Sequence, residues 1–252
     1  MNSLTVALWN VNHRVGKTRY HAAAASAVRE LNMDVAVLVE YFPREDHEQF
    51  VADLARGSGG YRYVIMSEAP DEGARSNRVL IASKTPMRRS SRLPKRPKFD
   101  RQFHSNMLAV DFDDVDISIL GIRVPYYDKS DKHEKIAKAW HWIGNAANAV
   151  RERPALLIGD FNARLSRTGF RGGGQLVDLL ESGWRRAEPD KSQAGGSCFS
   201  SGKQVWSEID HVLYVNCSVT RARYVSKVDK YTLAGSSNAL SDHSAITFNC
   251  RT

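Results

Sequence analysis

Short apolar segments recur along the whole chain, and each has the length of a β-strand. β-Branched and aromatic residues are frequent in them, as in strands buried within a sheet. Several are joined by short turns, which favours two largely antiparallel sheets packed face to face with helices outside. The predicted strands span residues 4–12, 34–40, 61–67, 78–83, 105–112, 115–124, 154–160, 208–215, 218–225 and 244–250.

Helices are predicted between these strands at 18–32, 44–55, 131–150 and 173–183. In the clearest of them, at 131–150, Ile136, Trp140, Ile143 and Ala147 recur at three- and four-residue steps and form one apolar face. The sequence has no clean linker and no repeat of fixed period. We therefore expect residues 1–252 to form one domain, a length that can bury a sizeable core.

The composition argues against several classes of protein. Hydrophobic residues make up 42% of the chain and charged residues 25%, as in folded soluble proteins, and the absence of a long apolar run predicts no stable membrane insertion. The start, MNSLTVALWN, lacks the basic and apolar regions of a signal peptide. Three cysteines without CxxC spacing, Cys198, Cys217 and Cys250, predict reduced thiols. We expect a cytoplasmic monomer.

Basic residues are concentrated in segment 84–101, where eight cations and one acid give a net charge of +7 in a chain of net +8. Its three prolines favour a loop, and we expect disorder there. A loop kept basic for solubility would look the same, but the concentration of charge favours binding to a polyanion. The candidate phosphate contacts in it are Arg88, Arg89, Arg92, Lys95 and Arg96.

Polar side chains mark the ends of several predicted strands. Asp160 and Asn162 end the strand in LLIGDFN, and side chains two residues apart point the same way. Carboxylate and amide oxygens suit Mg²⁺, and a histidine beside them suits proton transfer or charge stabilisation near neutral pH. Each residue alone has a plainer explanation: Asp160 is typical of a turn, Asn10 and Asn12 could cap one, Glu40 could be a solvated strand end, and a lone histidine such as His243 is more often structural. The other members are Asn10, Asn12, Glu40, Asp210, Asp242 and His243.

Together, the segments WNVN, VLVE, GDFN, EIDHV and SDH resemble, in order and spacing, the motifs of the endonuclease/exonuclease/phosphatase superfamily. Exonuclease III and deoxyribonuclease I belong to that superfamily. The resemblance runs from Asn10 to His243. It implies an α/β fold, a four-layer α/β/β/α sandwich of two mostly antiparallel sheets, with the active site at one end of the sheets.

The resemblance also implies a metal site and a catalytic group. Glu40 corresponds to the principal ligand of Mg²⁺, for which Mn²⁺ is an alternative, and Asn10, Asn12 and Asp242 belong to the same region. Asp160 corresponds to the residue that orients or deprotonates the attacking water. Asn162 helps to position the phosphate.

The remaining roles are implied in the same way. Asp210 should hold His243 and raise its pKa, so that His243 stabilises the charge developing on the phosphoryl oxygens. Arg123 lies where family nucleases have Tyr or His, and an arginine can grip a phosphate with two donors.

Three further residues are candidate substrate contacts. Tyr126 could stack on a base or simply pack on the sheet. Asn77 and Arg78 resemble a polar segment that lines the cleft in parts of the family.

These observations predict a Mg²⁺-dependent phosphodiesterase, most simply a nuclease that contacts DNA through its backbone. The positive charge would equally suit an inositol phosphate or an anionic lipid surface, so a phosphatase or phospholipid phosphoesterase of the same fold is an alternative. A nucleic-acid-binding protein without catalytic activity is another, although the complete set of polar residues argues against it.

Overall fold

The computed structural model describes residues 3–12, 18–43, 47–69, 76–94, 101–126, 132–168 and 172–252. These residues form sixteen strands and five helices. The strands are β1 Ser3–Asn10, β2 Val35–Tyr41, β3 Tyr63–Met66, β4 Arg78–Ser83, β5 Arg88–Arg89, β6 Met107–Phe112, β7 Ile117–Arg123, β8 Ala155–Asp160, β9 Arg185–Arg186, β10 Cys198–Ser200, β11 Val205–Ser207, β12 Asp210–Val215, β13 Ser218–Val225, β14 Lys227–Val228, β15 Tyr231–Thr232 and β16 Ala245–Arg251. The helices are α1 Thr18–Leu31, α2 His47–Leu54, α3 Arg101–Ser105, α4 Lys132–Val150 and α5 Gly173–Glu181.

Two six-stranded sheets dominate the fold, in the orders β13-β16-β1-β2-β4-β3 and β5-β6-β7-β8-β12-β9. Each sheet has one parallel pair, β1 with β2 and β7 with β8, and the other pairs are antiparallel. α1 connects the first parallel pair and α4 the second, because parallel neighbours need a long crossover connection. The prediction of two largely antiparallel sheets is therefore confirmed.

Apolar side chains fill the space between the sheets and cover their outer faces. Val6 of β1, Ile119 of β7 and Ile158 of β8 belong to one buried cluster between the sheets. Val28 of α1 is buried on the outer face of the first sheet, and Ile143 of α4 on that of the second. Alternate strand residues thus serve two cores, which confirms the four-layer α/β/β/α sandwich.

The sequence patterns missed the short elements. The two-residue strands β5, β9, β14 and β15, the β10–β11 hairpin and helix α3 are too short to show a periodic pattern. The loop prediction for segment 84–101 is wrong at two places, because β5 pairs with β6 at the sheet edge and α3 begins at Arg101. Residues 95–100 lie outside the described residues. None of the helices in the described part of the chain has the length and apolar character needed to span a bilayer.

Gly159 allows β7 and β8 to approach closely just before Asp160. Gly159 is in register with Ile122 across the parallel pair, and a Cβ atom built on it would lie 1.7 Å from the Ile122 carbonyl oxygen. No side chain fits there without moving the backbone. The glycine of the GDFN segment therefore fixes where β8 delivers the following carboxylate.

We expect Gly159→Ala to lower the free energy of unfolding by about 1–3 kcal/mol, because overpacking forces the two strands apart. The matched control is Gly144→Ala in α4, where an added Cβ meets nothing within 4 Å and the change should stabilise the helix by up to about 1 kcal/mol. Urea unfolding followed by circular dichroism measures both. Equal stability of the two variants would contradict this account of Gly159.

Candidate active site

The structure brings the predicted catalytic residues together at one end of the two sheets. β1 ends there at Asn10, which pairs with Val39, and Glu40 follows Val39 near the end of the parallel strand β2. The parallel strands β7 and β8 end there at Arg123 and Asp160. Asp210 opens β12 directly opposite Asp160. The carboxyl ends of parallel strands share one sheet edge, so the topology gathers these side chains.

Asp160 lies at the centre of this cluster and connects the two sheets. Its Oδ2 accepts a hydrogen bond of 3.0 Å from Asn10 Nδ2, and its Oδ1 accepts one of 2.8 Å from the Asn162 backbone N–H. Asn162 Nδ2 also donates to Oδ2 at 3.2 Å and to the Val124 carbonyl at 2.8 Å. The carboxylate is buried, with its orientation fixed by donors from both sheets.

Burial raises the pKa of Asp160 to about 7, and the negative charges of Asp210 and Glu40 add to the shift. His243 and Arg123 oppose it but do not cancel it. A carboxyl group with a pKa this high is a stronger base than an ordinary aspartate. Asp160 therefore suits proton abstraction from a bound water molecule near neutral pH.

Asp210 and His243 form a buried pair, with 2.7 Å between Asp210 Oδ2 and His243 Nδ1. Burial acts to lower the pKa of His243, but the charge and hydrogen bond of Asp210 outweigh it and raise the pKa well above its usual value. Hydrogen bonding to Cys198 and the charge of Asp160 add to the rise. This geometry is consistent with the predicted effect of Asp210 on His243, because a carboxylate at this distance favours the imidazolium form.

Three side chains that the sequence analysis did not identify hold this pair in place. Ser197 Oγ accepts a hydrogen bond of 3.0 Å from the Asp210 backbone N–H. Ser241 Oγ accepts one from the His243 backbone N–H, and Trp9 Nε1 donates to the His243 carbonyl. The proximity of Ser241 to His243 in the SDH segment was a usable signal, but nothing local pointed to Ser197.

Glu40 and Arg123 form a second ion pair, across the gap between the sheets. Arg123 Nε donates to Glu40 Oε1 at 2.9 Å, and Arg123 Nη2 lies 2.7 Å from the same oxygen. Glu40 has a φ of 55°, beside a register shift between Leu38 and Tyr41 in the β2–β4 pairing. A positive φ is unfavourable for glutamate, so local pairing holds this residue in a strained conformation.

Asn12 and Asp242 lie at the outer edge of the cluster. Asn12 Nδ2 donates to Asp242 Oδ1 at 2.6 Å, and the same oxygen lies 3.8 Å from His243 Nε2. Asn12 and Asn162 both have a φ of 49°, which asparagine tolerates better than most residues.

The donor set fits a hard divalent cation. Asp160 is buried near two other carboxylates, those of Glu40 and Asp210, whose negative charges act on it. The positive charges that act on Asp160 in the opposite direction are those of Arg123 and His243. Asp210 Oδ1 is buried without a hydrogen-bond partner among the described residues. The cluster is therefore short of positive charge, and its ligands are the oxygens that Mg²⁺ prefers. A second group, Cys198 with Asp242 and His243, has ligand atoms within 4.8 Å of one another, so a thiol borders the same site.

Of the predicted substrate contacts, Asn77, Arg78 and Tyr126 lie close in sequence or pairing to residues of the cluster. Arg78 is buried opposite Tyr41, one residue from Glu40, and Asn77 precedes it. Tyr126 is 48% exposed, three residues beyond Arg123.

Arg88 is not part of the cluster. Its guanidinium binds Asp113 and Asp111, and it pairs with Asp111 in β6, whereas Met107 at the other end of β6 pairs with Ile122 near the site.

The other basic candidates of segment 84–101 differ in their surroundings. Arg89 donates to the Met66 carbonyl. Arg92 is exposed, and Lys95 and Arg96 lie outside the described residues. The described part of segment 84–101 therefore presents fewer unengaged cations than its sequence predicted.

Comparison with known proteins identifies the family and the fold. The model of the endonuclease/exonuclease/phosphatase family matches residues 7–243, whereas no curated protein sequence matches the chain. A 3′ phosphatase from Neisseria bound to a product DNA hairpin is similar, with a TM-score of 0.69 and 16% identity. A 3′–5′ exonuclease from Neisseria meningitidis and an AP endonuclease from Archaeoglobus fulgidus give TM-scores of 0.68 and 0.66, each at 16% identity. Each of the three alignments covers 97% of this chain and 98% of the other, and this likeness establishes the fold.

His211 connects the loop after Asn162 to β12. Its Nε2 donates to the Ala163 carbonyl at 2.8 Å, and its Nδ1 lies 3.3 Å from Arg186 Nη1. Burial lowers the pKa of His211 from 6.5 to about 4, although the Ala163 hydrogen bond acts in the opposite direction. The ring is thus neutral in the folded protein at pH values where it is protonated in the unfolded chain.

Between pH 6.5 and about 4, the unfolded chain binds a proton at His211 that the folded protein does not bind. Lowering the pH from 7.5 to 5 should therefore cost roughly 2 kcal/mol of unfolding free energy through this residue. His211→Gln should remove that part of the pH dependence, whereas His141→Gln on the exposed face of α4 should keep it. Urea unfolding at both pH values measures the difference, and an unchanged pH dependence in His211→Gln would be the contrary result.

Proposed function

The chain belongs to the endonuclease/exonuclease/phosphatase family, and on that premise we propose that it is a metal-dependent phosphoester hydrolase, most simply a nuclease acting on DNA. The observation that carries the proposal is the placement of Asp160 beside the Asp210–His243 pair. Asp160 hydrogen-bonds Asn10, and Asp210 hydrogen-bonds His243. A base and a cation for the same reaction would thereby lie buried side by side.

Glu40 and Asn10 would hold a Mg²⁺ or Mn²⁺ ion, with Asp242 and Asn12 nearby. When bound, such an ion supplies the positive charge that polarises a phosphoryl oxygen and stabilises the leaving oxygen. The shortage of positive charge around Glu40, Asp160 and Asp210 supports this assignment, because a cation would relieve the repulsion among the three carboxylates.

The chain's own residues supply the remaining chemistry. Asp160 takes the proton of the attacking water, and Asn10 and Asn162 keep its carboxylate oriented for that transfer. The His243 imidazolium, fixed by Asp210, provides positive charge where the phosphoryl oxygens become more negative. Because these groups are already in position, little reorganisation is needed in the transition state.

A nucleic-acid substrate is supported by charge and by analogy. The chain has a net charge of +8, and positively charged proteins attract the phosphate backbone without reading its sequence. The similar 3′ phosphatase was determined with a product DNA hairpin. The engagement of Arg88 by Asp111 and Asp113 weakens the contribution first assigned to segment 84–101. An inositol phosphate or phospholipid substrate is therefore retained as the alternative.

We expect Asp160→Ala and His243→Ala each to reduce phosphoester hydrolysis by about 100-fold or more, since positioned acid–base and charge-stabilising groups contribute at least that much. The controls are Asp178→Asn and His141→Gln, exposed positions on α5 and α4 that should keep full activity. Thermal unfolding checks that all four variants fold. Full activity in either purified site variant would refute the assignment.

The substrate class is tested by a panel with and without Mg²⁺: supercoiled plasmid, an abasic-site duplex, single-stranded RNA, an inositol polyphosphate and sphingomyelin. We expect metal-dependent cleavage of DNA by the wild-type protein and none by Asp160→Ala. Cleavage of only the inositol or lipid substrate would replace the nuclease proposal with its alternative. DNA binding without any hydrolysis across the panel would favour the non-catalytic reading.

A further inference from the structure

The ion pair between Glu40 and Arg123 uses the carboxylate proposed to hold the metal ion. Both guanidinium donors fall on Glu40 Oε1, at 2.9 and 2.7 Å. A carboxylate oxygen has about two lone-pair positions, so Oε1 is fully engaged by Arg123. A cation that binds through this oxygen has to displace at least one of these two contacts, and a cation that binds through Oε2 is repelled by the guanidinium beside it.

The surroundings make this pair strong rather than incidental. The Arg123 side chain is 13% exposed and the Glu40 side chain 9%, so water competes little for either charge. Charge-assisted hydrogen bonds in such a setting are stronger than those at a surface. The strained φ of 55° at Glu40 and the end of β7 at Arg123 aim the two side chains at each other from different sheets.

We propose that Arg123 competes with the metal ion for Glu40 and, once displaced, binds the substrate phosphate. In the metal-free protein the guanidinium neutralises Glu40. A bound metal ion would engage Glu40 and would leave the donors of Arg123, still beside Asp160 at the end of β7, available to a phosphate. The planar guanidinium then grips a phosphate with two donors. This inference rests on the proposed metal-dependent function of the same site.

The exchange predicts opposite changes in metal and substrate affinity when Arg123 is altered. Arg123→Gln removes the competitor, so the dissociation constant for Mn²⁺ should fall by about tenfold or more. The same variant loses a phosphate contact, so the KM for the substrate should rise. A merely structural role for Arg123 would weaken both affinities or neither.

Two further variants separate competition for Glu40 from a general effect of charge. Arg123→Lys keeps the positive charge but cannot place two fixed donors on Oε1, so Mn²⁺ should bind more tightly than to wild type. Arg78→Gln removes a different buried cation, which pairs with Tyr41, the residue after Glu40. This substitution should change Mn²⁺ affinity much less than Arg123→Gln. Glu40→Gln should weaken Mn²⁺ binding both in the wild-type protein and in Arg123→Gln.

Mn²⁺ binding is measured without substrate by electron paramagnetic resonance of the free ion, at one fixed pH near neutrality. Tighter binding to Arg123→Gln and Arg123→Lys, with a higher KM, supports the exchange. Unchanged or weaker binding to Arg123→Gln overturns it, as does an equal gain in Arg78→Gln or no Mn²⁺ binding by any variant. Because binding is measured apart from hydrolysis, intact binding with no hydrolysis of any substrate would count against the proposed function alone.

Discussion

Three buried carboxylates share one cluster with two balancing cations, and the organisation of the site follows from that imbalance. Asp160 lies where the charges of Glu40, Asp210, His243 and Arg123 all act on it. In a poorly solvated site these interactions are strong. Burial is the first cause of the high pKa of Asp160, and the charges of Asp210 and Glu40 add to it. Asp210 in turn raises the pKa of His243, and a divalent cation would offset the negative charge of the cluster. Removing any one of these charges changes the state of the others, so the cluster works as a unit.

The strand topology places the cluster. Each of the two large sheets contains one parallel pair of strands, and both pairs reach the cluster. β1 and β2 bring Asn10 and Glu40, while β7 and β8 bring Arg123 and Asp160. Strands of two sheets packed face to face give rigid supports, which position catalytic groups better than loops do. The close approach at Gly159 links the packing of β7 and β8 directly to the position of the following carboxylate.

The sequence predicted the layers and most of the cluster because both leave local patterns. The apolar runs of β1, β2 and β8 mark buried strands, and polar residues directly after such runs are conspicuous. What it could not predict depends on contacts between distant segments. Three contacts are of this kind, because only the folded chain brings their residues together. Ser197 hydrogen-bonds the backbone of Asp210, Arg123 binds Glu40, and Arg88 binds Asp111. The two-residue strand β5 had too little length to show alternation.

The central claim is that Asp210 keeps His243 positively charged inside the site, and nuclear magnetic resonance of ¹⁵N-labelled histidine rings tests it most directly. His243→Gln assigns the signal, and Asp210→Asn provides the comparison. In the metal-free protein near neutral pH, both ring nitrogens of His243 should be protonated, because the charge and hydrogen bond of Asp210 raise the His243 pKa well above its usual value, and in Asp210→Asn the ring should be neutral. A His243 ring that is already neutral at this pH in the wild-type protein would contradict the account.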